Sequence, residues 1–338
     1  FEVQGILGRG GFGVVYLVFN RHTNELEALK TFRDELLQDK RSRDAFYKEV
    51  LTWFNLGLHK NILAAESACL VNGRLFVRTQ YVPPDSKGCV TLLDHLVHAG
   101  GSFDGVCVLK WAIQVCFGMS FATANGIQCH RDIKPSNILI LDHDVLKIAD
   151  FGLAKATDDA WHSVGIRGGS PVWVQSSNRD DLSLVPVDGG HLLCGTPGYI
   201  APEVYRREAA DIRSDIYSFG VVLWQMVYGT ASLPYTVGWR GKIDVFLREI
   251  YEEQLRNRFS IPDTSVGRVI SRCLRPRPLD RFLSFAAICE ELQKIYEHKV
   301  GNQIGEPSRV KETESVWINR CNANCALGND EKAIQCYT

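Results

Sequence analysis

Apolar and polar positions alternate over the first stretch of the chain. Val3, Gly5 and Leu7, then Val15 and Leu17, recur with a period of two, the spacing of half-buried strands. Gly8-Arg9-Gly10-Gly11-Phe12-Gly13 stands between the two runs, so the pattern predicts a hairpin with a glycine-rich turn. A third short apolar stretch ends at Ala28-Leu29-Lys30. The period then changes: from Asp44 to Asn55, Phe46, Val50, Trp53 and Phe54 fall on one helical stripe, with Glu49 beside it. Leu75 to Val82 reads as a buried strand, broken by Pro83-Pro84. Leu92 to Val97 and Val108 to Asn125 are helical, the second closed by Gly126. The run Ile138-Leu139-Ile140-Leu141 and a short strand from Val145 to Ala149 follow. Thr157 to Gly190 has few periodic apolar positions and reads as a mobile insertion. A strongly apolar helix then starts at Asp215, an acid placed to cap it, and runs to Val227. A last helix over Phe282 to His298 carries the stripe Phe285, Ile288, Leu292 and Ile295. The expected class is α+β, strands first and helices after.

Composition narrows the partners more than the fold. The chain has 338 residues, 38 Lys plus Arg against 39 Asp plus Glu, and a net charge of −1. That balance favours neither nucleic acid nor an anionic membrane surface. No run of about 18 apolar residues suggests a membrane-crossing helix. The chain opens at Phe1, without Met or a signal-peptide pattern, and reads as a piece of something longer. Its 11 cysteines are scattered, with no CxxC pair. That usage suggests reduced thiols and a cytoplasmic setting.

The chemistry concentrates in Cys129-His130-Arg131-Asp132-Ile133-Lys134-Pro135-Ser136-Asn137 and, 13 residues after Asn137, in Asp150-Phe151-Gly152. In-line phosphoryl transfer needs an acid to orient the acceptor hydroxyl, a cation for phosphate charge, and an amide oxygen with a second acid for Mg²⁺. These two stretches resemble the catalytic loop and metal-binding motif of the eukaryotic-type protein kinases, a signature known from general sequence rules. The glycine-rich stretch agrees. A dinucleotide site needs a helix after its glycines, whereas Val14 to Phe19 is a β-branched and aromatic run.

The resemblance covers about residues 1–298 and implies a bilobal kinase fold, with a small β-rich lobe over 1–81 and a larger helical lobe over 82–298. It implies ATP and Mg²⁺ as cofactors and Ser or Thr hydroxyls of proteins as acceptors. Asp132 would orient the hydroxyl, Lys134 and Lys30 would face phosphates, Glu49 would pair with Lys30, and Asn137 and Asp150 would hold the metal. Leu7, Gly8, Gly10, Gly13, Val15, Ala28, Lys30, Thr79, Gln80, Val82 and Leu139 would enclose the nucleotide. Lys134 and Cys194-Gly195-Thr196-Pro197-Gly198-Tyr199 resemble the serine/threonine subclass, with Thr196 set against Asp132 and Lys134. Asp215 would bind amides of the catalytic loop, and Arg281 would pair with Glu203; both roles are scaffolding.

Two features depart from the family pattern. Asp150 to Glu203 spans 54 residues, longer than the family's activation segment. The position of the usual phosphorylated acceptor falls on Leu192. Ser163, Ser170, Ser176, Ser177 or Ser183, the fixed charge of Asp188, or a partner remain as alternatives for the group that orders this segment. Beyond a polar linker over 299–314, residues 315–338 are similar to part of one tetratricopeptide repeat, with Gly328 at the turn and Ala333 and Tyr337 packing. Such a unit implies protein partners and buries its face only on neighbours. The alternative function is a pseudokinase, a nucleotide-binding scaffold docking partners through that tail.

Overall fold

The computed structural model describes residues 1–9, 13–32, 50–101, 103–151, 184–187, 191–194, 196–206, 208–237 and 243–308. Gly10, Glu49, the serines of the insertion, Asp188 and the tetratricopeptide-like tail lie outside these, as does the linker from 309 onward.

The N-terminal part is an antiparallel sheet of β1 (Glu2–Arg9), β2 (Gly13–Asn20), β3 (Glu25–Phe32), β4 (Ala65–Val71) and β5 (Arg74–Gln80), in the order β1-β2-β3-β5-β4. Register decides what this sheet presents. Lys30 lies opposite Val15 and Val77, and Ala28 lies opposite Leu17 and Thr79. Directly opposed residues and those two apart share a face. Val15, Ala28, Lys30 and Thr79 therefore point the same way, from three strands. The described turns of helix α1, residues 50–55, bury Val50, Trp53 and Phe54. Trp53 donates its indole N–H to the Leu63 carbonyl at 3.0 Å.

The rest is mainly helical: α2 (Leu92–His98), α3 (Gly105–Ala124), α4 (Pro202–Tyr205), α5 (Ile212–Tyr228), α6 (Ile243–Arg256), α7 (Ser265–Cys273) and α8 (Phe285–Val300). Two short ladders accompany them, β6 (Ile138–Leu141) with β7 (Val145–Ile148), and β8 (Leu184–Val187) with β9 (His191–Cys194). One apolar cluster runs from Trp53 and Phe54 through α3 and α5 to Leu292 of α8.

Three expectations are corrected. No apolar run long enough to cross a membrane was expected, yet α3 has that length and composition. It is instead the core helix, packed against α5, α8 and β7, and a helix enclosed on most sides needs no polar face. The insertion was expected to be irregular to Gly190, yet Leu184–Val187 pairs with His191–Cys194 in register; two short apolar runs around Asp188-Gly189-Gly190 are the composition of a hairpin. Asp215 does not cap α5. Asp211 does, accepting from the Arg213 N–H at 2.8 Å, which leaves Asp215 buried in the first turn for another task.

Candidate active site

The loop between α3 and β6 is held by buried polar contacts at His130, Arg131, Asp132, Lys134 and Asn137. Asp215 accepts from the His130 N–H at 2.6 Å and the Arg131 N–H at 2.8 Å. Burial pushes the Asp215 carboxyl up, and those amides oppose the shift. His130 is fully buried. Its Nε2 lies 2.9 Å from the Ala149 carbonyl and its Nδ1 3.3 Å from the Asp132 N–H. A carbonyl only accepts and an amide N–H only donates, so the ring carries its proton on Nε2. Its edge meets the Phe151 ring, with centroids 4.6 Å apart. One imidazole thus ties the loop to both residues flanking Asp150. Arg131 and Asp150 adopt left-handed backbone, with φ of 70° and 67°, a strain that buried surroundings must maintain.

Asp132 sits at the centre of this frame. It lies 2.9 Å from the Lys134 ammonium. The Asn137 amide N–H₂ donates to its Oδ2 and to its backbone carbonyl, both at 2.9 Å. Thr196, arriving from a loop more than sixty positions away, donates to Asp132 Oδ1 at 3.1 Å and accepts from Lys134 Nζ at 2.8 Å. Burial pushes the Asp132 carboxyl up, but the Lys134 ammonium and the Asn137 amide outweigh it and hold the group below the usual carboxylate value. Asp132 is an ionised acceptor at neutral pH.

Across the cleft, Lys30 reaches from β3 to Asp150 Oδ1 at 2.5 Å. This ion pair links the sheet to the helical part, and the two also share one apolar cluster through Leu75 and Val77. Val82 and Ala149 form a small apolar cluster with Leu63, against which Leu139 and Val90 pack. This is a floor suited to a planar, apolar ring. Gln80 is exposed at the end of β5. Leu7 is 44 % exposed, and Gly8 and Gly13 flank the turn of the β1–β2 hairpin. The structure brings Asp132, Lys134 and Asn137 into one contact group and Lys30 onto Asp150; Val15, Ala28 and Thr79 share one face of the sheet, and Val82 and Leu139 one apolar cluster. The expected partner of Lys30, Glu49, is outside the described residues.

The donor chemistry fits a hard divalent cation. Asn137 commits its N–H₂ to Asp132, so its carbonyl oxygen is the atom left for a ligand, and Asp150 adds a part-exposed carboxylate. Oxygen donors of this kind suit Mg²⁺.

Several positioning residues were not legible in the sequence. The loop carrying Thr196 is pinned by Tyr235, whose hydroxyl donates to the Gly198 carbonyl. Gln254 donates to the Ile200 carbonyl at 2.9 Å, and Ser218 to the Tyr199 carbonyl at 2.7 Å. Gly198 has φ +98°, and a Cβ there would stand 2.6 Å from a Leu233 methyl. The only sequence signal was polar Gln254 on the buried side of an amphipathic helix. The expected pair of Arg281 and Glu203 forms, with nitrogen–oxygen distances of 2.8 and 2.7 Å. Arg281 also donates to three backbone carbonyls, of Arg213, Arg275 and Pro276.

The sequence profile of the protein kinase domain matches residues 1–292. This chain belongs to the protein kinase family. A Clostridium acetobutylicum protein named "Probable serine/threonine-protein kinase" is 26 % identical over 333 residues, covering 98 % of this chain and 45 % of that protein. The serine/threonine-protein kinase pkn3 of Myxococcus xanthus is 29 % identical over 307 residues, covering 87 % and 50 %. This chain therefore spans about half the length of the curated relatives it matches. Among solved structures, the PknI kinase domain of Mycobacterium tuberculosis, crystallised as a double mutant, aligns with a TM-score of 0.55 at 21 % identity, over 86 % of this chain and 94 % of that one. At that identity the likeness supports the fold.

Proposed function

We propose that this chain is an ATP-dependent protein serine/threonine kinase, transferring the γ-phosphoryl group to Ser or Thr hydroxyls of proteins. The observation that carries the reading is the contact of Thr196 with both Asp132 and Lys134. A loop built to face an extended peptide ends on the acid that would take the acceptor hydroxyl. In this role Asp132 accepts a hydrogen bond from the incoming hydroxyl and aligns its oxygen; its lowered proton affinity suits orientation more than early proton removal. Lys134 places a positive charge beside the transferred group, and Lys30 does the same from the sheet. Asn137 and Asp150 would hold Mg²⁺, which would supply positive charge to offset that of the phosphates. Ala28, Val82 and Leu139 would offer apolar surface to the adenine, with Thr79 beside them.

The tetratricopeptide-like tail is proposed to dock protein partners, on the support of its motif alone. A cytoplasmic setting rests on cysteine usage; burial pushes the thiols of Cys273 and Cys289 up to about 12, so both are inert protonated side chains. The reading is tested by γ-phosphoryl transfer to a generic protein acceptor, compared with Asp132→Asn. Transfer by the native chain that disappears in the variant supports it. Nucleotide binding without transfer in the native chain would leave the scaffold reading.

A further inference from the structure

Between the cleft strand β5 and helix α2 the chain makes a small closed loop that phosphoryl transfer does not explain. Pro83-Pro84 follows three residues after the end of β5 at Gln80, and Asp85 then folds the loop onto itself. Asp85 Oδ1 accepts from the Lys87 N–H and the Cys89 N–H, both at 2.8 Å. The Asp85 N–H donates to the Cys89 carbonyl at 2.9 Å, and Gly88, at φ +80°, donates back to the Asp85 carbonyl at 2.9 Å. This brings the carboxylate over the Cys89 sulfur. His95, one turn into α2, adds an imidazole. Ligand atoms of Asp85, Cys89 and His95 all lie within 4.8 Å of one another, the one such group of His, Cys, Asp or Glu among the described residues.

We propose that Asp85, Cys89 and His95 form a binding site for a single Zn²⁺ ion that fastens the cleft-edge loop to helix α2. Three donors of sulfur, nitrogen and oxygen type match zinc, which takes four, and the fourth place is left for water. A second observation points the same way. Nε2 of His95 is buried and has no hydrogen-bond partner, an arrangement that costs stability and that a cation or a bound water would relieve. The carboxylate is already oriented by two backbone amides, as metal-bound carboxylates are. Asp94 lies nearby, but its Oδ2 is taken by the Val90 and Thr91 N–H groups and the Thr91 hydroxyl. It contributes charge and not a ligand. Asp85 and His95 are only half-buried, so an entry path exists. On binding, the Cys89 S–H bond breaks, its proton passes to solvent, and a zinc–sulfur bond forms with no change of oxidation state. Val90, next to Cys89, accepts from the Ile140 N–H at 2.9 Å and packs on the cleft floor, so the ion would brace the edge of the nucleotide site.

The test strips the 338-residue chain with a chelator, dialyses it against Zn²⁺, and counts bound metal, with Co²⁺ as a spectroscopic probe. The native chain is expected to retain one equivalent more than Cys89→Ser or His95→Asn. Its Co²⁺ form should show a sulfur-to-metal charge-transfer band that both variants lose, with affinity weakened by about 100-fold or more. Equal retention in native chain and variants, or none in the native chain, overturns the proposal. If a variant fails to fold, alkylation mapping of the native chain decides. Zinc should slow labelling of Cys89 at least several-fold while other thiols are unchanged, and unaltered labelling of Cys89 overturns the proposal.

Discussion

The catalytic loop over 130–137 and the β1–β2 hairpin border the same cleft, yet they are held in unlike ways. In the loop His130, Asp132, Lys134 and Asn137 are all buried, and each has a side-chain hydrogen bond or ion pair. In β1 almost every residue is exposed; Val3 and Ile6 keep 65 % and 45 % of their surface. Backbone pairing to β2 is what holds that strand. The contrast separates two requirements of one reaction. Reacting groups need fixed geometry, which buried, cross-linked polar groups provide. A cover over a ligand needs to open, and a strand with few buried apolar contacts opens at little cost.

The comparison can be broken from either side. The largest effect is expected at the loop: Asp132→Asn should lower phosphoryl transfer about 10²–10⁴-fold, and it also leaves the buried Lys134 ammonium without its carboxylate. Retained transfer in a radiolabel assay would remove Asp132 from its role. Next comes the brace behind it. Arg281→Met leaves Glu203 buried without its cation, and should cost about 3–5 kcal/mol in chemical denaturation. Adding Glu203→Leu to the same chain should recover part of that loss, because the stranded charge is gone.

A third test uses pH. Burial, helped by Lys147, lowers the His59 pKa from 6.5 to about 4. Folded His59 is thus neutral where the unfolded residue takes up a proton. Its contribution is complete above pH 6.5 and is lost as pH falls towards 4, by at most about 1.4 kcal/mol per pH unit. His59→Asn keeps an acceptor for the Asn61 N–H, which now bonds Nδ1 at 3.1 Å. It should flatten that part of the stability–pH curve; an unchanged slope would assign it elsewhere. The smallest effect belongs to the cover. A Cβ on Gly8 would meet nothing within 4 Å, so Gly8→Ala should change stability by less than about 0.5 kcal/mol. Any consequence should appear in nucleotide affinity; a large stability loss would mean the hairpin is as firmly packed as the loop.

Much of this was legible because the chemistry is local in sequence. Asp132, Lys134 and Asn137 lie within six positions, and a short loop of that composition has few other uses. Period-two alternation marked the first two strands, but the pairing that puts Val15, Ala28, Lys30 and Thr79 on one face is a structural finding. What was missed is non-local or ambiguous. Tyr235, Gln254 and Ser218 act on backbone carbonyls tens of residues away, and no local pattern announces such a partner. Asp211 and Asp215 both suit a helix start, and only the position of the catalytic-loop amides tells them apart. The apolar length of α3 has two physical readings, and its neighbours choose between them. Glu49 and the tail remain readings from sequence.

From its residues alone this chain specified the family motifs, their order and the alternation of its first strands, since these depend on side-chain chemistry and short-range periodicity. Tertiary structure decided which acid caps and which anchors, how Thr196 locks onto Asp132 and Lys134, and that Asp85, Cys89 and His95 converge. Those outcomes depend on burial and on distances between remote segments, and burial sets both the cost of an unpaired polar group and the strength of a paired one.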